Sequence, residues 1–105
     1  MDNFKIIYKI LKILEKSMDN EEFDKYKISH EELNISEVRW SRIIKMMVDN
    51  GYIEGIRVIE YDGATVPIIR LFNPTITLSG LEYLEENSLM KRAANLAKGI
   101  SDMIP

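Results

Sequence analysis

The sequence predicts an α+β fold, mostly α, and three observations carry that prediction. Apolar residues recur with a helical period over most of the chain. Two runs rich in Ile, Val and Tyr flank the turn pair Asp62-Gly63, which is the signature of a hairpin. Two of the helices are joined by a short connection through Asn34 and Ile35. A chain of 105 residues, 46% apolar and 30% charged, suits one compact domain that buries a core without metals or disulfides. We therefore expect residues 1–105 to form a single domain, with 1–87 as its core and 88–105 as an additional C-terminal helix.

In order along the chain, Asp2 or Asn3 can cap a first helix running to about Met18. Phe4, Ile7, Ile10, Leu11, Leu14 and Met18 form its main stripe, widened by Ile6 and Ile13. So broad an apolar surface suggests cover on two sides, one of them open to a second subunit. Lys5, Lys9, Lys12 and Lys16 make a basic stripe, read first as a solvated face and second as an anion-facing one. Asp19 to Lys27 is a polar loop pinned by Phe23 and Tyr26, and Ile28 is expected to start a short strand. Ser29 with Glu32 matches a capping box opening a short helix through Leu33.

The helix that organises the chain follows. Ser36 is its N-cap, and Gly51 sits where the exit must turn left-handed. Trp40, Ile43, Ile44, Met47 and Val48 fall on one apolar face; Glu37, Arg39, Ser41, Arg42 and Lys45 occupy the other. That spacing assigns Trp40 to the core rather than to a stacking role. Tyr52 to Tyr61 and Val66 to Phe72 read as strands, with Ala64 and Thr65 lengthening the turn. Pro67 suits an edge strand, and Asn73-Pro74 is expected to end it. Thr77 or Ser79 caps a further helix with Leu78, Leu81 and Leu84 facing inward. Leu89, Ala93, Leu96, Ile100 and Met103 give the last helix an a/d pattern, which serves either a dimer seam or packing onto the first helix.

Helix, strand, helix, tight turn, helix, hairpin, helix is the order of a winged helix-turn-helix domain: a three-helix core plus a β-hairpin wing. LNISEVRWSRIIKMMVDNGYIEG resembles the helix-turn-helix and first wing strand of that superfamily, and ITLSGLEYLEEN resembles the start of its post-wing helix. With the Ser-rich step into a final helix, nearly the whole chain resembles the YjcQ-like family of small bacterial and prophage proteins. The resemblance implies a winged-helix fold and no settled activity. Carried over from the superfamily's docking mode, Ser36, Glu37, Arg39, Ser41, Arg42 and Lys45 would face the major groove of double-stranded DNA, with Arg57 and Arg70 flanking the wing.

Charge weighs against strong binding of a polyanion. The net charge is −3, and Ile28 to Leu78 holds five basic and seven acidic residues. The wing tip offers Glu60 and Asp62 and no arginine. The absence of cysteine excludes thiolate chemistry and cysteine-ligated zinc. His30 is the sole histidine; His30-Glu31-Glu32 reads as the first turn of a helix rather than a metal site. No phosphate loop, calcium loop or catalytic triad is suggested, so neither catalysis, metal nor cofactor is expected. No signal peptide or membrane span fits, which makes the cytoplasm the default location. Two functions remain: a DNA-binding transcriptional regulator, dimeric through the first and last helices, or a winged-helix module for protein–protein contact.

Overall fold

The computed structural model describes residues 2–87. Helix α1 (Asn3–Lys16) starts under Asp2, whose carboxylate accepts from the Lys5 N–H at 2.9 Å. It buries Ile6, Ile10, Leu11 and Leu14 and ends in a 3-10 turn, Ser17–Asp19. The buried phase is centred on Ile6, Ile10 and Leu14, so two residues of the expected stripe miss the core. Phe4 is 72% exposed in the first turn and Met18 is 61% exposed beyond the helix end.

The expected strand at Ile28 is absent. Asp24 caps the Tyr26 N–H at 3.0 Å and the chain curls into a 3-10 turn, Lys25–Ile28. The backbone of Ile28 is then committed elsewhere: its carbonyl accepts the Trp40 indole N–H at 2.8 Å, and its side chain is fully buried. Tyr26, expected to pin this loop, is exposed, whereas Phe23 packs against the core.

Ser29 caps α2 (His30–Leu33), its hydroxyl accepting from the Glu32 N–H. Asn34 then takes a left-handed conformation, φ 57°, which asparagine tolerates better than most residues. Ser36 caps α3 (Glu37–Asp49) through the Arg39 N–H at 3.1 Å. At the far end Tyr52 N–H reaches the Met47 carbonyl and Gly51 N–H that of Val48, the paired bonds of a Schellman motif. Gly51 supplies the positive φ of 74° that this motif requires.

Strands β1 (Ile53–Ile59) and β2 (Ile68–Ile76) pair antiparallel. Asp62 and Gly63 form the turn within loop 60–67, with Ala64 N–H closing on the Tyr61 carbonyl. Asn73-Pro74 does not end β2; it is absorbed in an irregularity. Glu54 pairs with Thr75 but Ile56 with Leu71, so Gly55 stands opposite the chain from Phe72 to Pro74. Gly55 has φ 77°, and a Cβ there would lie 1.9 Å from the Asn73 carbonyl oxygen. The bulge lets proline sit in a strand without breaking a ladder bond.

Thr77 caps helix α4, which occupies 78–87, accepting from the Gly80 N–H at 3.1 Å while donating to the Gly51 carbonyl. Leu78, expected to face inward, is 74% exposed; Gly80 and Leu84 are the buried residues. Gly80 is required because a Cβ would lie 2.4 Å from the Tyr52 carbonyl oxygen. The described residues thus make a mostly helical α+β fold of four helices and a two-stranded sheet. One core joins α1, α3, Ile28, Leu33, Ile53, Ile76 and Leu84, each large aliphatic side chain contributing about 1.5–3 kcal/mol of burial. The helix expected over 89–104 lies outside the described residues.

Candidate nucleic-acid interface

Helix α3 presents its outward face because Trp40, Ile43, Ile44 and Met47 hold the other against the core. Trp40 is 8% exposed and its indole N–H is bonded, which assigns it to packing. Its ring lies tilted against His30, centroids 6.2 Å apart. Ser36, Glu37, Arg39 and Arg42 are exposed, as the helical spacing expects. Ser41 is not. It is 4% exposed, because the helical turn sets it beside Ile44 and Val48 at the edge of the buried arc, and its hydroxyl is not offered to a ligand. In exchange, Val38 (43%) and Met46 (47%) are exposed apolar residues on the same helix.

The cations on this face are held in two different ways. Arg39 Nε donates to the Asn3 side-chain oxygen at 2.8 Å, tying α3 to the start of α1. Arg42 Nη2 donates to the Thr65 carbonyl at 3.2 Å, tying α3 to the hairpin loop. Both acceptors are neutral, so each guanidinium keeps its charge and its remaining donors. Lys45 instead bonds the carboxylate of Asp49 one turn on and lies 3.4 Å from that of Glu60. The Asp49 hydrogen bond raises the Lys45 pKa; desolvation opposes it, and the charges of Asp49 and then Glu60 add to the rise. Its charge is largely answered within the chain. Glu37 lies 3.5 Å from His30 Nε2 and Glu31 lies 3.7 Å from it.

Arg57 and Arg70 are cross-strand partners on the hairpin, both exposed. Their neighbours Ile56, Ile69 and Leu71 pack against the core, so alternation turns the two arginines to the opposite face. The hydrogen bonds and ion pairs of the α3 cations run to Asn3, Thr65, Asp49 and Glu60, not to Arg57 or Arg70. The eight residues that the sequence groups into one surface are thus divided: Arg39, Arg42 and Lys45 beside Ser36 and Glu37, Arg57 and Arg70 on the outer hairpin, Ser41 buried. Asn3, Glu60 and Thr65 join the face from 36, 15 and 23 residues away. No local pattern marks them.

A family model described as YjcQ protein matches residues 8–103. The chain belongs to the YjcQ family. The match takes in most of α1, all of α2 and α3, the hairpin and α4, so the candidate interface lies within the YjcQ region apart from Asn3. No curated protein and no solved structure matches the chain. Among the described residues no helix is long and apolar enough to cross a membrane.

Proposed function

We propose that this YjcQ-family chain is a winged-helix DNA-binding protein, a transcriptional regulator that reads the major groove with α3. In this reading α1, α2 and α3 are the three-helix core, Asn34 to Ser36 the turn of the helix-turn-helix, and the β1–β2 hairpin the wing. The observation that carries it is the pair Arg39 and Arg42: exposed, three residues apart on a capped helix, and steadied by neutral acceptors that leave their charges uncancelled. A guanidinium so placed can take two acceptors on a guanine edge or a phosphate oxygen. Lys45 contributes less, because a phosphate must compete with Asp49 and Glu60 for it.

The test is fluorescence anisotropy with mixed-sequence duplex DNA, titrated across salt. Binding at low salt that falls linearly on a log–log plot is expected, and Arg42→Ala should flatten that slope by about one if it contacts one phosphate. Arg39→Ala should weaken binding as well. A chain that does not bind duplex at low salt, or whose affinity ignores both substitutions, refutes the proposal.

A second reading has its own support. Val38 and Met46 expose apolar surface on α3, and the net charge is −3; both suit contact with a protein better than with phosphate. Under that reading the same winged-helix module serves protein–protein contact, and the arginine substitutions leave a negligible duplex affinity negligible.

A further inference from the structure

The outward face of the hairpin carries charge and apolar surface that the rest of the described chain does not answer. The Gly55 bulge resets the strand alternation, so Ile56, Val58, Ile69 and Leu71 share the inner face and Arg57, Ile59, Ile68, Arg70 and Phe72 the outer. Arg57 and Arg70 stand directly opposite each other, a like-charge pairing that is unfavourable in isolation. Neither makes an ion pair among the described residues. Beside them Ile68 is 39% and Phe72 62% exposed.

The base of the same hairpin adjoins chemistry of the opposite sign. Across an open cleft of about 280 Å³, Asn73, Pro74 and Thr75 face Met18, Asn20, Glu21 and Phe23. This segment carries the exposed acids Asp19, Glu21 and Glu22, none in an ion pair among the described residues, and the exposed Met18. Along β2 the positive pair is thus followed by apolar Phe72 and then by the wall of a cleft whose far side carries Glu21, with Asp19 and Glu22 flanking it in sequence.

We propose that a second copy of this chain docks on this face about a two-fold axis near Phe72, Arg57 and Arg70 of each copy meeting Asp19, Glu21 and Glu22 of the other. A two-fold interface uses one patch twice and must be self-complementary; positive at one end, negative at the other and apolar between them meets that condition. Removing Phe72, Ile68 and Met18 from water supplies affinity, while the rim charges fix the register. A second copy fits better than a nucleic acid, since Glu54 on the outer face and the acidic segment at its end would repel an extended polyanion. The surface differs from a seam along α1, whose Ile6, Ile10, Leu11 and Leu14 are already buried within the chain.

Sedimentation equilibrium of the full chain tests this, whether or not the protein binds DNA. A reversible dimer is expected that weakens as salt rises. Two charge-reversed variants, R57E/R70E and D19K/E21K/E22K, should each raise the dissociation constant by about tenfold or more. An equimolar mixture of the two should recover the dimer, because both contacts become complementary again in the mixed pair. Phe72→Ser, which leaves every charge in place, should weaken the wild-type dimer as well. A wild-type chain that stays monomeric, a dimer that both charge-reversed variants keep, or a mixture that fails to recover overturns the proposal.

Discussion

Trp40 shows how one side chain can fix the position of a segment remote in sequence. Its ring fills core volume, and its N–H satisfies the Ile28 carbonyl at the point where the 3-10 turn would otherwise leave it without a partner. Trp40→Phe keeps most of the apolar bulk and removes the donor. Urea denaturation should show a loss of about 1–3 kcal/mol, the usual result of stranding a buried polar group. Two glycines separate conformational strain from steric overlap. Gly51 has φ 74° with nothing within 4 Å of an added Cβ, whereas Gly55 has φ 77° and the Asn73 carbonyl in the way. Gly51→Ala should therefore cost about 1 kcal/mol, and Gly55→Ala about 3 kcal/mol or more, because the hairpin register must shift as well. Equal losses in thermal denaturation would contradict this account of the bulge.

At the scale of elements, serine and threonine caps define where the helices start. Ser29, Ser36 and Thr77 each accept from the N–H three residues on. Ser36→Ala should lower stability by about 1 kcal/mol, and circular dichroism should register the loss as a lower melting temperature. Thr77 has a second task, since its hydroxyl also donates to the Gly51 carbonyl and so fastens α4 to the exit of α3. Tyr83 on α4 lies tilted against Tyr52 in the same region, ring centroids 5.0 Å apart. Burial, and to a lesser extent the Tyr52 phenol, push the Tyr83 hydroxyl above its ordinary range. A raised pKa means that the folded chain holds this proton more tightly than the unfolded one. The associated stability is complete below the ordinary tyrosine range and declines as pH climbs through and beyond it. Unfolding followed across the alkaline range should show that decline, and Tyr83→Phe should make it shallower; an unchanged slope would remove Tyr83 as its source.

At the scale of the described residues as a whole, tertiary contacts add to the local ion pairs such as Lys12–Glu15 and Lys45–Asp49. Arg42 and Lys45 reach the hairpin loop through Thr65 and Glu60, coupling α3 to the segment that shares its outward side. These contacts are exposed, so they add little to stability. Arg42→Ala should leave the urea midpoint nearly unchanged, within about 0.5 kcal/mol, while altering hydrogen exchange in the loop. A large loss of stability would show that Arg42 is structural, and any effect on duplex binding would then need another explanation.

The amino-acid sequence by itself determined the local features. The caps at Ser29 and Ser36, the left-handed exit at Gly51 and the apolar face of α3 rest on residues three or four apart, where the helix alone fixes geometry, while the first cap is narrowed only to Asp2 or Asn3. The YjcQ family was legible for the same reason, in contiguous motifs. The tertiary structure decided the rest. Whether Ile28 extends or curls depends on Trp40, twelve residues away. Whether Asn73-Pro74 ends a strand depends on Gly55 opposite it, and whether Phe4, Ser41 or Leu78 is covered depends on where neighbouring elements end. The candidate site divides along that line. The residue types on α3 are written in its periodicity, but Asn3, Glu60 and Thr65, and the turning of Arg57 and Arg70 to the other side, arise from pairings between distant segments that no local spacing encodes.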